Sequence, residues 1–477
     1  MMSKAGICAL GIALAMTSPA AIAQNTVRIS GHYTGEMIRE GKALEISIDL
    51  PRQALQSRPR YACPMHPKVT SSTPGKCPIC DMPLELLTSA NESHATFTSL
   101  SQAVMDYPLN SFTVEGDNVH FVLGGSIVFD GRASVHHIDG QFHGPEGAGE
   151  FHLESAAADV LPYTVREVTF HHGDVTLVGS LLAPKTPGKH AGVVLLHGSG
   201  PETRWGTLRY VADRFARAGI ATLIYDKRGS GNSTGNLDSF TYDDLAGDAI
   251  AGLRLLASQP NVDRMRVGLL GHSEGGITGV VAAVHASREI AFIVAEDTVA
   301  GPVYKSDLYR VNRSIRHTGF KPEEISQAMN VYGTFVDVAR GVTSYSELEA
   351  AQNKYGQTEW FRWLSIPPRD ALFWATTPQR ENLDTLVYWR KVDVPVLLVY
   401  GEKDELLPVS QNIEAIENAL ARRVPYTALI APGAQHNLTV HPPPEGPFFW
   451  WKAAPGIVDL TVNWVQSVTT TSQRAGE

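Results

Sequence analysis

The stretch Arg266-Val-Gly-Leu-Leu-Gly-His-Ser-Glu-Gly-Gly-Ile277 decides the fold of this chain. An apolar run typical of a buried strand ends at Gly271-His-Ser-Glu-Gly275, and small residues typical of a packed helix follow at once. Glycines beside a serine allow a sharp strand-to-helix turn, which holds the serine hydroxyl above the sheet. The pattern predicts that Ser273 is a nucleophile on an α/β fold, with a helix-capping serine as the alternative.

A second match to the same motif, Gly231-Asn-Ser-Thr-Gly235, shows that G-x-S-x-G alone is a weak signal. This match lies several residues beyond the apolar run that precedes Asp226, and the polar residues Asn236 and Asp238 follow it. Such a context is typical of a loop. We therefore do not assign a nucleophile to Ser233.

A serine nucleophile needs a histidine to take its proton and an acid to orient that histidine. After a nucleophile on such a strand-to-helix turn, we expect these partners to follow along the chain in the order acid, histidine. Asp404 comes just after the apolar run 396–400, and His436 lies on the loop after the next apolar run. We predict that Asp404 orients His436, although the chain has 17 histidines and two rival acids, Glu405 and Asp297.

The oxyanion of a tetrahedral intermediate needs hydrogen-bond donors. The segment Leu195-Leu-His-Gly-Ser-Gly-Pro201 follows a buried strand, and its glycines free the backbone to aim an N–H group. We predict that the backbone N–H groups of Ser199 and Glu274 form the oxyanion hole.

The rest of the chain divides into two parts. From residue 166 to 477, short apolar runs alternate with helical stretches, which predicts an α/β domain with a helical cap at about 301–391. Residues 24–160 instead alternate apolar and polar side chains between tight turns, which predicts a small antiparallel β sandwich or barrel. Near the end, the aromatic segment Pro442–Trp451 either walls an acyl pocket or packs against the last helix.

Five segments in this order carry a resemblance to a known family: His197–Pro201, Tyr225–Gly235, Gly271–Gly276, Gly401–Pro408 and Gly433–Leu438. Together they resemble the α/β-hydrolases of the dienelactone hydrolase and prolyl-oligopeptidase-like group over about residues 168–468. The resemblance implies a Ser-His-Asp triad that needs no cofactor. Esterase-like members carry a small β domain that opens with Gly-x-Trp-x-Gly, and here Gly31-His-Tyr-Thr-Gly35 has Tyr in place of Trp.

Residues 57–87 interrupt the β pattern with six prolines and three cysteines. We predict an inserted, zinc-ribbon-like metal module, because four soft or borderline ligands on two knuckles can close a tetrahedron. Two thioethers beside them favour copper(I) or silver as much as zinc. The predicted metal-site residues are Cys63, His66, Cys77 and Cys80, with Met65 and Met82 beside them. A disulfide from Cys77 to Cys80 or to Cys63, without metal, is the alternative.

The segments Tyr61–Pro67 and Pro74–Leu84 closely resemble the heavy-metal-binding domain of copper-exporting ATPases and periplasmic efflux adaptors. The resemblance implies a bound zinc, copper or silver ion. Such a module would either hold the insertion together or serve in sensing and in docking to a metal-handling partner protein.

Residues 1–23 have the three parts of a secretory signal: Lys4, an apolar run over 5–16, and Ala21-Ile-Ala23 before a cleavage site at Gln24. The apolar run is too short to span a bilayer, and no later segment has 18 uninterrupted apolar residues. We therefore expect a periplasmic or secreted protein without a membrane span.

The composition narrows the class of function. Hydrophobic residues make up 43% of the chain, which is ordinary globular usage. The net charge of -9 argues against nucleic acid as a partner. We therefore expect a secreted serine esterase that acts on a small-molecule ester. The alternatives are a peptidase or amidase with the same triad, and a metal-binding or metal-resistance protein whose hydrolase domain is secondary.

Overall fold

The structure is a computed structural model that describes residues 29–51, 61–62, 70–71, 75–76, 78, 85–86, 95–443 and 446–474. The predicted signal segment 1–23 and the six predicted metal-site residues lie outside these ranges. Among the described residues, no helix has both the length and the apolar composition that a membrane crossing requires.

The N-terminal domain is built from antiparallel strands. Its strands are β1 (Gly31–Arg39), β2 (Lys42–Leu50), β3 (Tyr61–Ala62), β4 (Thr70–Ser71), β5 (Glu85–Leu86), β6 (Thr96–Ser99), β7 (Val104–Pro108), β8 (Ser111–Glu115), β9 (Asn118–Leu123), β10 (Ile127–Ala133), β11 (His137–Gly144) and β12 (Gly147–Ala156). Nine of them form one sheet in the order β7-β6-β2-β1-β12-β11-β10-β9-β8, and the short β4, β3 and β5 form a second sheet. The antiparallel prediction is confirmed, but the main strands make one continuous sheet and not a two-sheet sandwich.

The period-2 pattern of the sequence explains the core of this domain. Leu44, Ile46 and Ile48 on β2 are buried, while the residues between them are more exposed. They share one core with an aromatic group in which Phe121 stacks on Phe129 at 4.3 Å between ring centroids. Alternation therefore fixes which face of the sheet is buried.

The second domain contains the remaining elements. They are β13 (Tyr163–His172), β14 (Val175–Pro184), β15 (His190–Leu196), α1 (Thr207–Arg217), β16 (Ala221–Tyr225), α2 (Tyr242–Ala257), β17 (Val262–His272), α3 (Glu274–His285), β18 (Ile293–Glu296), α4 (Val303–Ile315), α5 (Pro322–Ala339), α6 (Tyr345–Tyr355), α7 (Glu359–Trp363), α8 (Phe373–Glu381), α9 (Thr385–Trp389), β19 (Val396–Gly401), α10 (Val409–Leu420), β20 (Tyr426–Ala431), β21 (Thr439–Val440), β22 (Lys452–Ala453) and α11 (Ile457–Arg474). Short 3-10 turns lie at Leu100–Gln102 and His436–Leu438.

Eight strands of this domain form one sheet in the order β13-β14-β16-β15-β17-β18-β19-β20. From β16 to β20 neighbouring strands are parallel, while the β13–β14 hairpin joins antiparallel to β16. All residues of β15 and β19 are buried, because helices cover both faces of the sheet. Helices α2, α3 and α10 pack on one face, and α1 and α11 pack on the other. The predicted α/β-hydrolase fold is confirmed.

Helices α4 to α8 form a cap between β18 and β19. The cap has an apolar core of its own, centred on Tyr332, Phe335 and Trp360. Because the insertion leaves the sheet at β18 and returns at β19, it lies above the carboxyl ends of the central strands, where ligands bind in α/β folds.

The aromatic segment after His436 ties the two domains together. Trp450 packs against Phe142 of the β-domain core, and its Nε1–H donates to the carbonyl of Lys42 at 2.9 Å. The ring of Phe448 lies beside Trp450 and below the guanidinium of Arg39. These two aromatic residues therefore pack on the β domain, which neither of the two sequence expectations for this segment anticipated.

Candidate active site

Ser273 occupies the turn between β17 and α3 with φ 52° and ψ −114°, a strained conformation for a residue with a Cβ. The turn is tight because the glycines on either side of it let backbone segments approach closely. A Cβ on Gly271 would lie 2.1 Å from the carbonyl oxygen of Gly275, and one on Gly275 would lie 2.6 Å from that of Leu196. The glycines of the motif are thus required by close backbone packing, as the sequence predicted.

The structure brings Ser273, His436 and Asp404 together from three separate loops. The hydroxyl Oγ of Ser273 lies 3.2 Å from Nε2 of His436, and Nδ1 of His436 lies 2.7 Å from Oδ2 of Asp404. These distances fit a proton path from serine to histidine and a carboxylate that fixes the histidine tautomer.

Asp404 is held by its own turn. Its Oδ1 accepts the backbone N–H groups of Leu406 at 2.7 Å and Leu407 at 3.1 Å, and its side chain is buried. These two bonds fix the orientation of the carboxyl group and leave Oδ2 free for His436.

The two rival acids make other contacts. Glu405 points to the cap, where it pairs with His317 at 3.1 Å and Arg313 at 3.6 Å. Asp297, at the end of β18, accepts the backbone N–H of Gly401 at 2.8 Å and lies beside Asp404. Burial, with the neighbouring Asp404 among the further causes, raises the pKa of Asp297 to about 8.

The backbone around Ser199 has one N–H group already in use. The N–H of Gly198 donates to Oε2 of Glu202 at 3.1 Å and is therefore not a candidate oxyanion donor. The next amide along the loop is that of Ser199. Ser199 and Glu274, the first residue of α3, line the same cavity as Ser273. The residues of the two predicted donors therefore border the same cavity as the candidate nucleophile.

Sequence reasoning missed His272, although it lies inside the quoted motif. Its Nε2 lies 2.8 Å from Oδ1 of Asn437, and its ring lies 5.1 Å from that of His436. Burial, followed by the nearby His436, lowers the pKa of His272 to about 4, so the ring is neutral at neutral pH. A neutral ring that donates to Asn437 anchors the residue directly after His436.

The serine of the second motif has a structural role. Ser233 is buried; its hydroxyl donates to the carbonyl of Asp226 at 2.6 Å and accepts the N–H of Val178 at 3.0 Å. It joins the loop after β16 to β14, away from His436.

A cavity of about 1790 Å³ opens at Ser273. Its walls come from the β domain, the hydrolase sheet and the cap, with these residues among them: Tyr107, Asn110, Ser199, Trp205, Phe240, Tyr332, Phe335, Phe373 and Arg380. Gly75 of the inserted module also borders it. The space exceeds the ~300–1,000 Å³ typical of small-molecule sites, so more than a short acyl group fits.

The cap side of this cavity carries charged groups. Asp307 accepts from Arg310 at 3.1 Å, and Arg380 lies over the ring of Phe240 at 4.6 Å. Oε2 of Glu381 is buried with no hydrogen-bond partner among the described residues. Burial, followed by Asp307, raises the pKa of Glu381 to about 8. Asp307 and Glu381 thus both line the cavity that contains Ser273.

Two protein families match the chain. Residues 161–441 match the family described as X-Pro dipeptidyl-peptidase (S15 family), and residues 60–85 match the family described as heavy metal binding domain. The first range holds the whole group around Ser273, and the second holds the six predicted metal-site residues. The resemblance to an α/β-hydrolase with a heavy-metal-binding domain is confirmed.

Several curated proteins are similar to parts of the chain. A Mycobacterium tuberculosis (strain CDC 1551 / Oshkosh) protein named as a phosphoribosyl transferase is 33% identical over 140 residues, 29% of this chain and 31% of the relative. An uncharacterized 31.7 kDa protein of Escherichia coli is 25% identical over 54% of this chain and 86% of its own length. The uncharacterized peptidase YtmA of Bacillus subtilis (strain 168) is 29% identical over 31% of this chain and 58% of its own length. The chain thus spans about a third of the first relative.

Some of the solved structures that are similar to this chain are named as esterases. Est1E from Butyrivibrio proteoclasticus with bound ferulic acid is 16% identical, covers 65% of this chain and 100% of its own, and has a TM-score of 0.40. The Pyrococcus furiosus esterase PF2001 is 18% identical, covers 67% of this chain and 96% of its own, and has a TM-score of 0.41. The dienelactone hydrolase of Anabaena variabilis is 18% identical, covers 65% of this chain and 98% of its own, and has a TM-score of 0.37.

Proposed function

The chain belongs to the X-Pro dipeptidyl-peptidase (S15) family, and on this premise we propose that it is a serine hydrolase that cleaves carboxylic esters of small molecules through an acyl-enzyme. The observation that carries the proposal is the hydrogen-bonded chain from Ser273 through His436 to Asp404, at 3.2 and 2.7 Å. It supplies the groups that acyl transfer needs within bonding reach.

The proposed reaction has two halves. Ser273 Oγ attacks the ester carbonyl carbon while Nε2 of His436 takes the hydroxyl proton, and Asp404 stabilises the imidazolium. The C–O bond to the alcohol then breaks, and His436 gives the alkoxide its proton. Water repeats these steps on the acyl-enzyme: His436 takes a proton from water, the carboxylic acid leaves, and Ser273 regains its hydrogen.

The oxyanion in both halves would be bound by the N–H groups of Ser199 and Glu274. Both residues line the cavity beside Ser273, and Glu274 begins α3, whose N-terminal amides and dipole favour negative charge.

The test is hydrolysis of p-nitrophenyl esters of increasing acyl length by the full chain, with Ser273→Ala as the matched control. We expect turnover that Ser273→Ala lowers by about 10⁶-fold, as in well-studied triads. Equal hydrolysis by both proteins, or none by the unsubstituted protein, would overturn the proposal.

A peptidase is the second candidate, since the family takes its description from a dipeptidyl-peptidase. The carboxyl group of Asp307 borders the cavity and suits the ammonium group of a free peptide N-terminus. Ala-Pro-p-nitroanilide and its N-acetyl form separate the two functions. The protein would be a dipeptidyl-peptidase if it cleaved Ala-Pro-p-nitroanilide but not the N-acetyl form, at a kcat/KM above that of every ester. Cleavage of esters alone would leave it an esterase.

We further propose that Cys63, His66, Cys77 and Cys80 hold a heavy-metal ion, with Met65 and Met82 beside it. Thiolate and imidazole donors fit zinc, and thioethers add preference for copper(I) or silver. Bound metal measured in the purified chain and in a Cys77→Ser/Cys80→Ser variant tests the site. A third function is metal resistance, with hydrolysis in a secondary role. It would be favoured if cells that express the Cys77→Ser/Cys80→Ser variant lost metal tolerance while hydrolysis by the variant stayed unchanged.

The proposed site of action is the periplasm or the exterior, on the strength of the signal-like pattern in residues 1–23. Fractionation of expressing cells, with N-terminal sequencing of the exported product, tests this proposal. A product that starts at Gln24 outside the cytoplasm is expected.

A further inference from the structure

A buried lysine lies directly behind the proposed oxyanion hole. Lys227, two residues after β16, is only 2% exposed. Its Nζ donates to the carbonyl oxygen of Gly198 at 2.7 Å and to Oε2 of Glu274 at 2.5 Å. One ammonium group therefore contacts both segments that carry the proposed oxyanion donors.

The contact with Gly198 fixes the direction of the Ser199 amide. The peptide between Gly198 and Ser199 is trans and planar, so its C=O and N–H groups point in opposite directions. Since the C=O points inward to Lys227, the N–H of Ser199 points outward to the cavity that contains Ser273. Glu202 holds the other side of Gly198 by accepting its N–H at 3.1 Å.

The contact with Glu274 holds the second donor. Glu274 contributes its backbone N–H to the proposed hole, while its side chain turns away from the cavity to Lys227 and is largely buried. A charge-assisted hydrogen bond in a buried setting is among the stronger polar contacts in proteins. The bond therefore restrains the residue directly after Ser273 relative to the loop that carries Ser199.

We propose that Lys227 is a positioning residue that aligns the two oxyanion donors, the backbone N–H groups of Ser199 and Glu274, for the transition state. The inference rests on the proposed serine hydrolysis. Its alternative is that Lys227 only neutralises the buried carboxylate of Glu274. Preorganised donors act on the transition state and not on the bound substrate, so the two roles differ in kinetics.

The test compares Lys227→Met with the double variant Lys227→Met/Glu274→Gln and with Lys391→Met, a lysine-to-methionine control at an exposed position. The double variant removes the unpaired carboxylate, so it keeps the fold if the single variant does not. Measured quantities are kcat, KM, the melting temperature and the Kd of a trifluoromethyl ketone, which forms an oxyanion on the serine.

We expect both Lys227 variants to lower kcat about 10²-fold, toward the cost of losing one donor, with KM nearly unchanged. Affinity for the trifluoromethyl ketone should fall by the same factor, and Lys391→Met should match the unsubstituted protein. The proposal would be overturned if the double variant regained both the kcat and the melting temperature of the unsubstituted protein. It would also be overturned if Lys227→Met alone kept full kcat. Failure of serine hydrolysis itself would show instead as an unsubstituted protein that neither turns over esters nor binds the ketone.

Discussion

An oxygen of Asp297 lies within 4.8 Å of an oxygen of Asp404, at the carboxyl ends of the neighbouring strands β18 and β19. The two carboxyl groups have different surroundings. Asp404 accepts two backbone N–H groups and pairs with His436, whereas one oxygen of Asp297 is buried and has no hydrogen-bond partner in the described part of the chain. Burial raises the pKa of Asp297 to about 8, so it carries the proton of the pair near neutral pH.

This difference predicts which carboxylate serves catalysis. Asp404→Asn should lower kcat by about 10⁴-fold, as in the best-studied triad, because the amide favours the wrong tautomer of His436. Asp297→Asn should change kcat by less than about tenfold, because His436 makes its carboxylate hydrogen bond to Asp404 and not to Asp297. Steady-state kinetics of both purified variants decide the matter. If Asp297→Asn lost most of its kcat while Asp404→Asn kept nearly all of it, the acid that orients His436 would be Asp297.

The raised pKa of Asp297 also predicts that the stability of the fold depends on pH. The pKa of Asp297 rises from 3.8 in the unfolded chain to about 8 in the fold, and burial raises that of Glu296 to about 7. Groups with raised pKa values stabilise the fold fully below pH about 4, and this contribution is lost as pH rises through 7 to 8. Asp297→Asn should therefore flatten the decline, by at most ~1.4 kcal/mol per pH unit. Urea unfolding between pH 5 and 9 measures it; parallel curves for the variant and the unsubstituted protein would contradict the expectation.

The two G-x-S-x-G serines should separate in a labelling experiment. Ser273→Ala should abolish covalent labelling by a fluorophosphonate probe, because Ser273 alone of the two lies within reach of His436. Ser233→Ala should keep the label but lower the free energy of unfolding by about 1–3 kcal/mol, since it leaves the N–H of Val178 without its acceptor. Intact-protein mass spectrometry and urea unfolding provide the two readouts. Labelling that persists in Ser273→Ala would remove the nucleophile assignment.

Deletion of residues 57–87 should separate metal binding from hydrolysis. We expect kcat on a short-chain ester to stay within about threefold, because the proposed chemistry uses a serine and not a metal-bound water. KM for bulky esters should change, since Gly75 borders the cavity. Chelation should likewise strip metal from the full chain without stopping turnover. Loss of hydrolysis in step with loss of metal, in a protein that stays folded, would contradict the separation.

The fold was readable from the sequence because its signals are local. The alternation of β2 and the glycines around Ser273 each act within a few residues, and the structure has both where the pattern predicted them. The grouping of Ser273, Asp404 and His436 was predictable for a related reason: each follows a strand of one parallel sheet, so their loops meet at one edge.

What could not be predicted depends on contacts between distant segments. Lys227 reaches Gly198 and Glu274 across 29 and 47 residues, and nothing near it in sequence marks it as a partner of either. Likewise, the order of strands does not say which carboxyl group keeps a proton, because the burial that raises the pKa of Asp297 comes from the assembled sheet. The contacts of Trp450 were not anticipated for the same reason, since its surroundings belong to the other domain.

The bond from Trp450 to Lys42 joins positions 408 residues apart, which has a consequence for folding. During synthesis the β domain emerges before the segment that contains Trp450, which supplies part of the apolar surface that covers its core. Contacts of such long sequence separation form late and slow the final step of assembly. A ribosome-released chain would therefore spend time with a partly covered β domain, and the interval before Trp450 docks is when chaperones and proteases would have access to it.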